Sequence, residues 1–432
     1  MTIRTGSIRT VSRTAAGVLA AIAVCVPLLG GCGQRDASPA APSVGGSSMS
    51  GVPVEGDFTG SGGGTLKSAQ TLATVDRRVL KVTSLAARIE YESKSGIDGS
   101  VQRVSGSVFV PKGDPPEGGW PIVAVGHGTT GVQHDCGPSL WPNLLGASAP
   151  VVTLINAGFL VTMPDYQGLG MDETYHPYLD STTVGYNMID GVRAARKLVA
   201  NASNRWLAFG SSQGGQAAWA ANELAQGYGQ GLELVGSASV SPAANVVGLA
   251  DGAAAGELTP EQASALQWVL VALKAEHPEL DLDEYRRGVV EREWDVLSAC
   301  AGPLVAQRTD IAKQVTPDDL RPSSADATNR LRDYLGQMSL PKTRASAPLL
   351  VLFGELDKVV APQWTSDAVR RACELGGVVE AYLVPGRGHD DIDGAAALDW
   401  VMQRFAGVEA SSSCSLVEGS VLQLSPKQWY EE

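Results

Sequence analysis

Residues 206–215 read WLAFGSSQGG, an apolar strand-like run that leads into a Gly-x-Ser-x-Gly pentad with Ser212 at its centre. A helix-like run over residues 216–224 follows directly. A strand that turns sharply into a helix strains the backbone of the middle residue and exposes its side chain, while the flanking glycines let the two segments approach. The pentad alone is weak in a chain with 50 glycines, so the strand and helix around it carry the assignment. We predict that Ser212 is a nucleophile at the carboxyl edge of a sheet.

Strand-like and helix-like segments alternate along the rest of the body, from about residue 66 to residue 406. Residues 87–92 and 104–110 alternate apolar and polar side chains, which is typical of an antiparallel pair. Further strands are predicted from apolar runs at 121–125, 159–163, 206–209, 234–240, 349–353 and 380–384. Apolar residues recur at helical spacing over 184–199. The alternation predicts an α/β protein with a mostly parallel sheet covered by helices on both faces, and the strand–serine–helix turn at Ser212 indicates the α/β-hydrolase fold.

The alternation stops between about residues 243 and 345, where the sequence is helical and more densely charged. Residues 259–262, TPEQ, have the cap, N1 proline and capping-box glutamine of a helix start, and residues 316–319 resemble another helix start. Because the strand pattern resumes directly afterwards, we predict a helical cap inserted over the active site. An independent second domain is the alternative.

A serine hydroxyl needs a base to remove its proton, and the chain has five histidines. His389 lies in a loop directly after the last predicted strand, at the edge where Ser212 is expected. His127 follows the 121–125 strand and belongs to a different element of the site. The others are expected to be solvated or packed side chains: His134, His176 and His277. We therefore predict His389 as the base.

An imidazole base needs a carboxylate that fixes its tautomer and stabilises its cation. Asp357 follows the 349–353 strand in the sequence GELDKVV, residues 354–360. Glu355 is the nearby alternative, but the spacing places Asp357 in the loop, and we favour it. The chain order of serine, aspartate and histidine is the one that this fold imposes.

Acyl transfer also needs N–H donors aimed at the oxyanion of its tetrahedral intermediate. One donor is expected to be the backbone N–H of Gln213, directly after the serine. The other is expected from the glycine-rich loop 126–131, GHGTTG, where we choose Thr129.

The N-terminal segment predicts export. Residues 1–31 combine arginines with a short apolar run and end in LGG before Cys32, which resembles the lipobox of bacterial lipoproteins. In those proteins cleavage precedes the cysteine, whose thiol carries diacylglycerol, so we expect Cys32 to anchor the chain in a membrane. An ordinary signal peptide is the alternative. Residues 32–65, rich in Ser, Gly, Pro and Ala, predict a flexible linker before a catalytic domain over 66–432.

Four cysteines remain in the body after the signal peptide and Cys32 are set aside. In an oxidising compartment an even number favours disulfides, although four cysteines allow three pairings and free buried thiols are the alternative. We favour a pairing in which each bond joins a loop to a distant segment: Cys136–Cys300 and Cys373–Cys414.

Several motifs together resemble the secretory lipase family: 126–131, 135–139 (DCGPS), 165–170 (DYQGLG), 210–215 and the late aspartate and histidine loops. The resemblance spans nearly the whole body and implies an extracellular ester hydrolase that acts on acylglycerols and related esters, with a helical cap and no cofactor. It implies that Ser212, Asp357 and His389 form the triad and that Cys136 is disulfide-bonded. The lipobox, the linker, Cys373 and Cys414 depart from the better-known fungal members, so the membrane anchor does not follow from the resemblance.

These features predict hydrolysis of carboxylic esters, with lipid esters favoured because apolar cap helices suit an acyl chain. The alternatives are a serine peptidase or acyltransferase of the same fold, and a catalytically inactive cell-surface binding protein. A formal net charge of −13 argues against nucleic-acid binding. No cofactor or protein partner is implied. No metal site is expected, since the acidic residues beside His389 are best explained as a solvated loop: Asp390, Asp391 and Asp393.

Overall fold

One nine-stranded sheet organises the computed structural model, which describes residues 51–300 and 304–416. Its spatial order is β1-β2-β3-β5-β4-β6-β7-β8-β9. The strands are β1 Leu66–Thr71, β2 Thr83–Lys94, β3 Val101–Pro111, β4 Trp120–Gly126, β5 Leu160–Pro164, β6 Ala202–Ser211, β7 Glu233–Val240, β8 Leu349–Gly354 and β9 Val379–Val384. β1, β2, β3 and β5 pair antiparallel, and β5, β4 and β6 to β9 pair parallel. The predicted mostly parallel sheet is therefore confirmed.

Helices cover both faces of this sheet. Those of the body are α1 Arg77–Val82, α2 Ser148–Asn156, α3 Ser181–Leu198, α4 Gln213–Tyr228, α11 Pro362–Glu374 and α12 Ala395–Phe405. Alternate side chains of one strand face opposite layers: Ile122 packs with α3 and α4, while Val123 packs with α2 and α12. Burial on both faces explains why the parallel strands are almost continuously apolar.

The segment between β7 and β8 is helical, and its apolar side chains form a cluster that also includes Tyr178, Leu179 and Val360 of the body. Its helices are α5 Gly248–Ala255, α6 Pro260–Glu276, α7 Gly288–Arg292, α8 Trp294–Ser298, α9 Leu304–Ala312 and α10 Ala325–Met338. The capping box predicted at Thr259 forms, with Gln262 as its partner. The predicted helix start at 316–319 gives only a short 3-10 turn, Pro317–Leu320, since Pro322 follows and disfavours helical geometry in the residue before it.

The C-terminal boundary of the predicted linker, residue 65, is wrong. Residues 51–65 are attached to the body: the Val54 N–H donates to the Ala69 carbonyl at 3.0 Å, and the Gly64 N–H donates to the Glu92 carbonyl at 2.7 Å. Residues 51–65 contain few apolar side chains, but they bind the body through their backbone. Their N–H and carbonyl groups form hydrogen bonds with the free edge of β1 and with β2. Polar edge strand β1 itself has no clear sequence signal. The predicted signal peptide, Cys32 and residues 32–50 lie outside the described residues.

Within the described residues, two disulfides connect distant segments. Cys136, after β4, is bonded to Cys300 at the end of the α8 region with a Cα–Cα distance of 5.7 Å. Cys373, in α11, is bonded to Cys414 with a Cα–Cα distance of 5.3 Å. This is the pairing that the sequence analysis favoured. Among the described residues, no helix combines the length and apolar character needed to cross a bilayer.

Candidate active site

Ser212 occupies a sharp turn between β6 and α4. Its backbone has φ 57° and ψ −119°, a left-handed region that strains a residue with a side chain. Close packing around it requires glycine: a Cβ on Gly214 would lie 1.9 Å from the Gly126 carbonyl oxygen, and one on Gly210 would lie 2.2 Å from the Gly214 carbonyl oxygen. The Ser212 N–H donates to the Val240 carbonyl at 2.9 Å, which ties the turn to the neighbouring strand. The turn therefore has the predicted strand–serine–helix geometry.

His389 and Asp357 complete a hydrogen-bonded line to this serine. His389 Nε2 lies 2.9 Å from Ser212 Oγ, and His389 Nδ1 lies 2.7 Å from Asp357 Oδ2. The carboxylate is held in turn, because Asp357 Oδ1 accepts the backbone N–H groups of Val359 and Val360 at 2.8 and 2.9 Å. The Asp357 and His389 side chains are only 1% and 9% exposed. This arrangement can move a proton from the hydroxyl to the imidazole and stabilise the resulting cation.

Glu355, the alternative carboxylate, points elsewhere. Its Oε2 accepts the Gly386 N–H at 2.9 Å, and its side chain is exposed. The Ser241 hydroxyl donates to the His389 carbonyl at 2.8 Å and holds the histidine loop. The loops after β6, β8 and β9 thus bring together the three residues that the sequence analysis singled out.

The residues proposed as oxyanion donors flank the serine. Gln213 is the first residue of α4, so its backbone N–H has no partner within the helix. Thr129 follows Gly128, and a Cβ on Gly128 would lie 3.8 Å from the Ser212 Cβ, so the loop passes beside the nucleophile. The Thr129 hydroxyl lies 2.9 Å from the Tyr178 hydroxyl.

Two other histidines are buried near the site, and burial lowers the pKa of each. His127 Nδ1 lies 2.7 Å from the Gly128 carbonyl oxygen, and the His127 ring contacts the Tyr166 ring with a centroid distance of 4.3 Å. The pKa of His176 falls to about 3, so that side chain is neutral at ordinary pH. Its Nε2 lies 2.9 Å from the Gln213 side-chain amide nitrogen, a contact that the sequence analysis missed. His134 and His277 are at or near the surface, as expected.

One group of possible metal ligands is found among the described residues: Asp135, Cys136 and Cys300. Both sulfur atoms belong to the disulfide, so these residues do not fit a metal ion. The acidic residues after His389 are exposed, and Asp391 accepts the Gly388 N–H at 3.2 Å.

Solved structures with similar architecture identify the fold. Candida antarctica lipase A in its closed state matches with a TM-score of 0.65 at 16% identity, covering 84% of this chain and 88% of that one. A ligand-bound form of the rice cell wall degrading esterase LipA from Xanthomonas oryzae matches with a TM-score of 0.62 at 20% identity, covering 80% and 96%. The α/β-hydrolase fold is thereby confirmed.

Sequence relatives identify the family. A secreted triacylglycerol lipase of Malassezia furfur is 27% identical over 210 residues, which are 46% of this chain and 38% of that protein. The match thus spans well under half of the relative's length. Residues 147–413, more than half of this chain, match the secretory lipase family. On that match, the chain belongs to the secretory lipase family.

Proposed function

We propose that this protein is a serine hydrolase that cleaves carboxylic esters through an acyl-enzyme on Ser212. The observation that carries the proposal is the continuous line from the Ser212 hydroxyl through His389 to Asp357, with contacts of 2.9 and 2.7 Å. Family membership supports the same chemistry.

The reaction follows from these positions. His389 Nε2 takes the hydroxyl proton as Ser212 Oγ attacks the ester carbonyl carbon, and Asp357 stabilises the imidazolium. The backbone N–H groups of Gln213 and Thr129 are proposed to bind the oxyanion. His389 then gives its proton to the departing alcohol, which leaves an acyl group on Ser212. Water, activated by the same imidazole, releases the acid and restores the serine.

Lipid esters are the proposed substrates. The secretory lipase family supports this choice. The segment between β7 and β8 is proposed as a cap over the site, because its Trp268 contacts Tyr178, whose hydroxyl lies 2.9 Å from the Thr129 hydroxyl. The Malassezia relative is a triacylglycerol lipase by name, and the Xanthomonas neighbour is an esterase, so chain length is the property to measure. Hydrolysis rates of p-nitrophenyl esters from acetate to palmitate are expected to rise towards the longer chains. A maximum at acetate would contradict the lipid assignment.

The proposed location is the cell envelope. Residues 1–31 are proposed as a lipoprotein signal peptide, with Cys32 as the lipidated residue and a linker after it. A Cys32→Ala variant is expected to leave the membrane fraction, with Cys25→Ala as the matched control. If Cys32→Ala stays membrane-bound, the lipid-anchor proposal fails.

The decisive experiment compares two adjacent serines. Ser212→Ala is expected to abolish ester hydrolysis and fluorophosphonate labelling while thermal unfolding stays nearly unchanged. Ser211→Ala changes the neighbouring hydroxyl and is expected to keep both activities. Retained hydrolysis in Ser212→Ala would contradict the proposal, and an intact wild type that neither hydrolyses esters nor takes the label would favour the binding-protein alternative. Transfer of the acyl group to an added alcohol in preference to water would favour an acyltransferase.

A further inference from the structure

The segment 176–179, between β5 and α3, touches both residues proposed as oxyanion donors. Its side chains are buried, with His176, Tyr178 and Leu179 each at most 3% exposed. Leu179 has a positive φ of 64°, a strained conformation for a leucine, and its carbonyl accepts the Gln216 side-chain amide at 3.0 Å. The segment is therefore held in one conformation by α4 itself.

His176 contacts the first donor residue. His176 Nδ1 lies 2.8 Å from the Gln167 carbonyl, which can only accept, so Nδ1 carries the hydrogen. The neutral imidazole then has its lone pair on Nε2, which accepts the Gln213 side-chain N–H at 2.9 Å. The Gln213 side chain is fully buried, and its Oε1 has no partner within the described residues. The hydrogen bond to His176 thus fixes the side-chain amide of Gln213, which is the first residue of α4.

Tyr178 contacts the second donor residue. Its hydroxyl lies 2.9 Å from Thr129 Oγ1, and burial raises the pKa of Tyr178 to about 12, so the hydroxyl keeps its proton at neutral pH. The threonine hydroxyl belongs to the same residue whose backbone N–H is proposed to bind the oxyanion. This hydrogen bond therefore restricts where the Thr129 backbone can move.

The same tyrosine contacts the segment between β7 and β8. Its ring meets the Trp268 ring edge-on at a centroid distance of 6.2 Å. Trp268 is held by a hydrogen bond from its Nε1 to the Leu297 carbonyl at 3.2 Å and by the Arg308 guanidinium, 4.2 Å from its ring centre. A displacement of α6 would therefore move the partner of the Tyr178 ring.

We propose that His176 and Tyr178 are positioning residues that hold the two oxyanion donors from one segment, and that Trp268 links this segment to the cap. The inference rests on the proposed function, since it assigns a role in stabilising the oxyanion of Ser212 acylation. Neither side chain needs to touch the substrate. The consequence is that donor geometry depends on where the cap helix α6 lies.

A double-mutant cycle tests the Tyr178 contact. Tyr178→Phe removes the hydroxyl and keeps the ring, and Thr129→Val removes the threonine hydroxyl and keeps the backbone N–H. Because full loss of one donor lowers turnover about 100- to 1,000-fold, a misplaced donor is expected to lower kcat about tenfold with little change in KM. The two substitutions together are expected to cost no more than either alone. Tyr285→Phe is the matched control, since its buried hydroxyl donates to the Ala327 carbonyl at 3.1 Å, a backbone atom within the helical segment.

A second measurement separates donor geometry from general damage. A trifluoromethyl ketone adds to the serine and forms an oxyanion, whereas the matching methylene ether of the same length only occupies the site. In Tyr178→Phe and in His176→Phe, affinity for the ketone is expected to fall in proportion to kcat/KM while affinity for the ether is unchanged. His176→Gln retains a donor and an acceptor and is expected to recover part of the loss.

The outcomes are distinct from those for the proposed function. If Tyr178→Phe keeps kcat and ketone affinity within twofold of wild type, or if its effect adds fully to that of Thr129→Val, the positioning role is overturned while Ser212 chemistry stands. If His176→Phe does not fold, His176→Gln is measured in its place, and ketone and ether affinities that change equally in that variant overturn the role of His176. Hydrolysis that persists in Ser212→Ala overturns the proposed function itself.

Discussion

The sheet edge and the helical segment between β7 and β8 meet near Ser212, but they are built differently. Ser212, Asp357 and His389 each follow a parallel strand, and backbone contacts such as Ser212 N–H to the Val240 carbonyl hold the loops that carry them. The helical segment packs around an apolar cluster that also includes Tyr178 and Leu179, and it meets the site region through side chains such as Trp268. The three candidate catalytic side chains are thus placed by strand register and backbone approach, while their surroundings are placed by side-chain packing.

The largest expected effect contrasts a sheet-edge carboxylate with a cap aromatic. Asp357→Asn is expected to lower kcat about 10,000-fold, since the amide stabilises the wrong histidine tautomer. Trp268→Leu is expected to lower kcat about tenfold, as for a misplaced donor. Steady-state kinetics with one p-nitrophenyl ester measures both, with Asp367→Asn on the exposed side of α11 as the carboxylate control. If Trp268→Leu lowered kcat more than Asp357→Asn, the assignment of Asp357 to the triad and of Trp268 to positioning would be contradicted.

The two disulfides give the next contrast. Cys136 and Cys300 are 164 residues apart and Cys373 and Cys414 are 41 apart, so loop-closure entropy predicts that removing the bonds costs about 5 and about 4 kcal/mol of unfolding free energy. Only the first bond is expected to affect kcat, because Cys136 packs under Gly131 of the glycine-rich loop. Serine double variants of each pair, compared by urea unfolding and kinetics, test this. Equal effects on kcat would show that the loop does not depend on the first bond.

Two glycines of the same helix separate backbone approach from helix propensity. Gly214→Ala places a Cβ 1.9 Å from the Gly126 carbonyl oxygen and is expected to lower the unfolding free energy by about 2 kcal/mol or more, with loss of activity. Gly227→Ala meets nothing within 4 Å and is expected to raise the unfolding free energy by up to about 1 kcal/mol. Chemical denaturation of both variants measures the difference. A stable, active Gly214→Ala would mean that the turn can relax.

The last contrast concerns the pH dependence of stability. The pKa of His176 is about 3 in the folded protein, below the ordinary value of 6.5, because burial disfavours its charged form. Between pH 6.5 and about 3 the unfolded chain binds a proton at His176 that the folded chain does not bind. The contribution of neutral His176 to the unfolding free energy is therefore full above pH 6.5 and is lost as the pH falls towards 3. Its slope is at most about 1.4 kcal/mol per pH unit. His176→Gln is expected to lose that slope in urea unfolding at pH 4 to 6, and an unchanged slope would contradict the neutral buried state.

The same contrast explains what the sequence could predict. Strand and helix periodicity and glycine spacing are patterns among neighbouring residues in the sequence. For that reason β6, α4 and the order of Ser212, Asp357 and His389 were predictable. Residues 51–65 were misassigned because backbone pairing with an edge strand leaves no apolar pattern. The role of His176 had no signal either, since its burial against Gln213 arises from segments that meet only after folding. The 3-10 turn at Pro317–Leu320 was predictable in hindsight from Pro322.

The central claim is that Ser212 attacks the ester with His389 as its base. The most direct measurement is mass spectrometry of the protein digested after reaction with a fluorophosphonate, at equal times for wild type and His389→Ala. We expect one adduct, on the peptide that contains Ser212, formed at least about 1,000-fold more slowly in His389→Ala. An adduct on another residue, or equal rates in the two proteins, would contradict it.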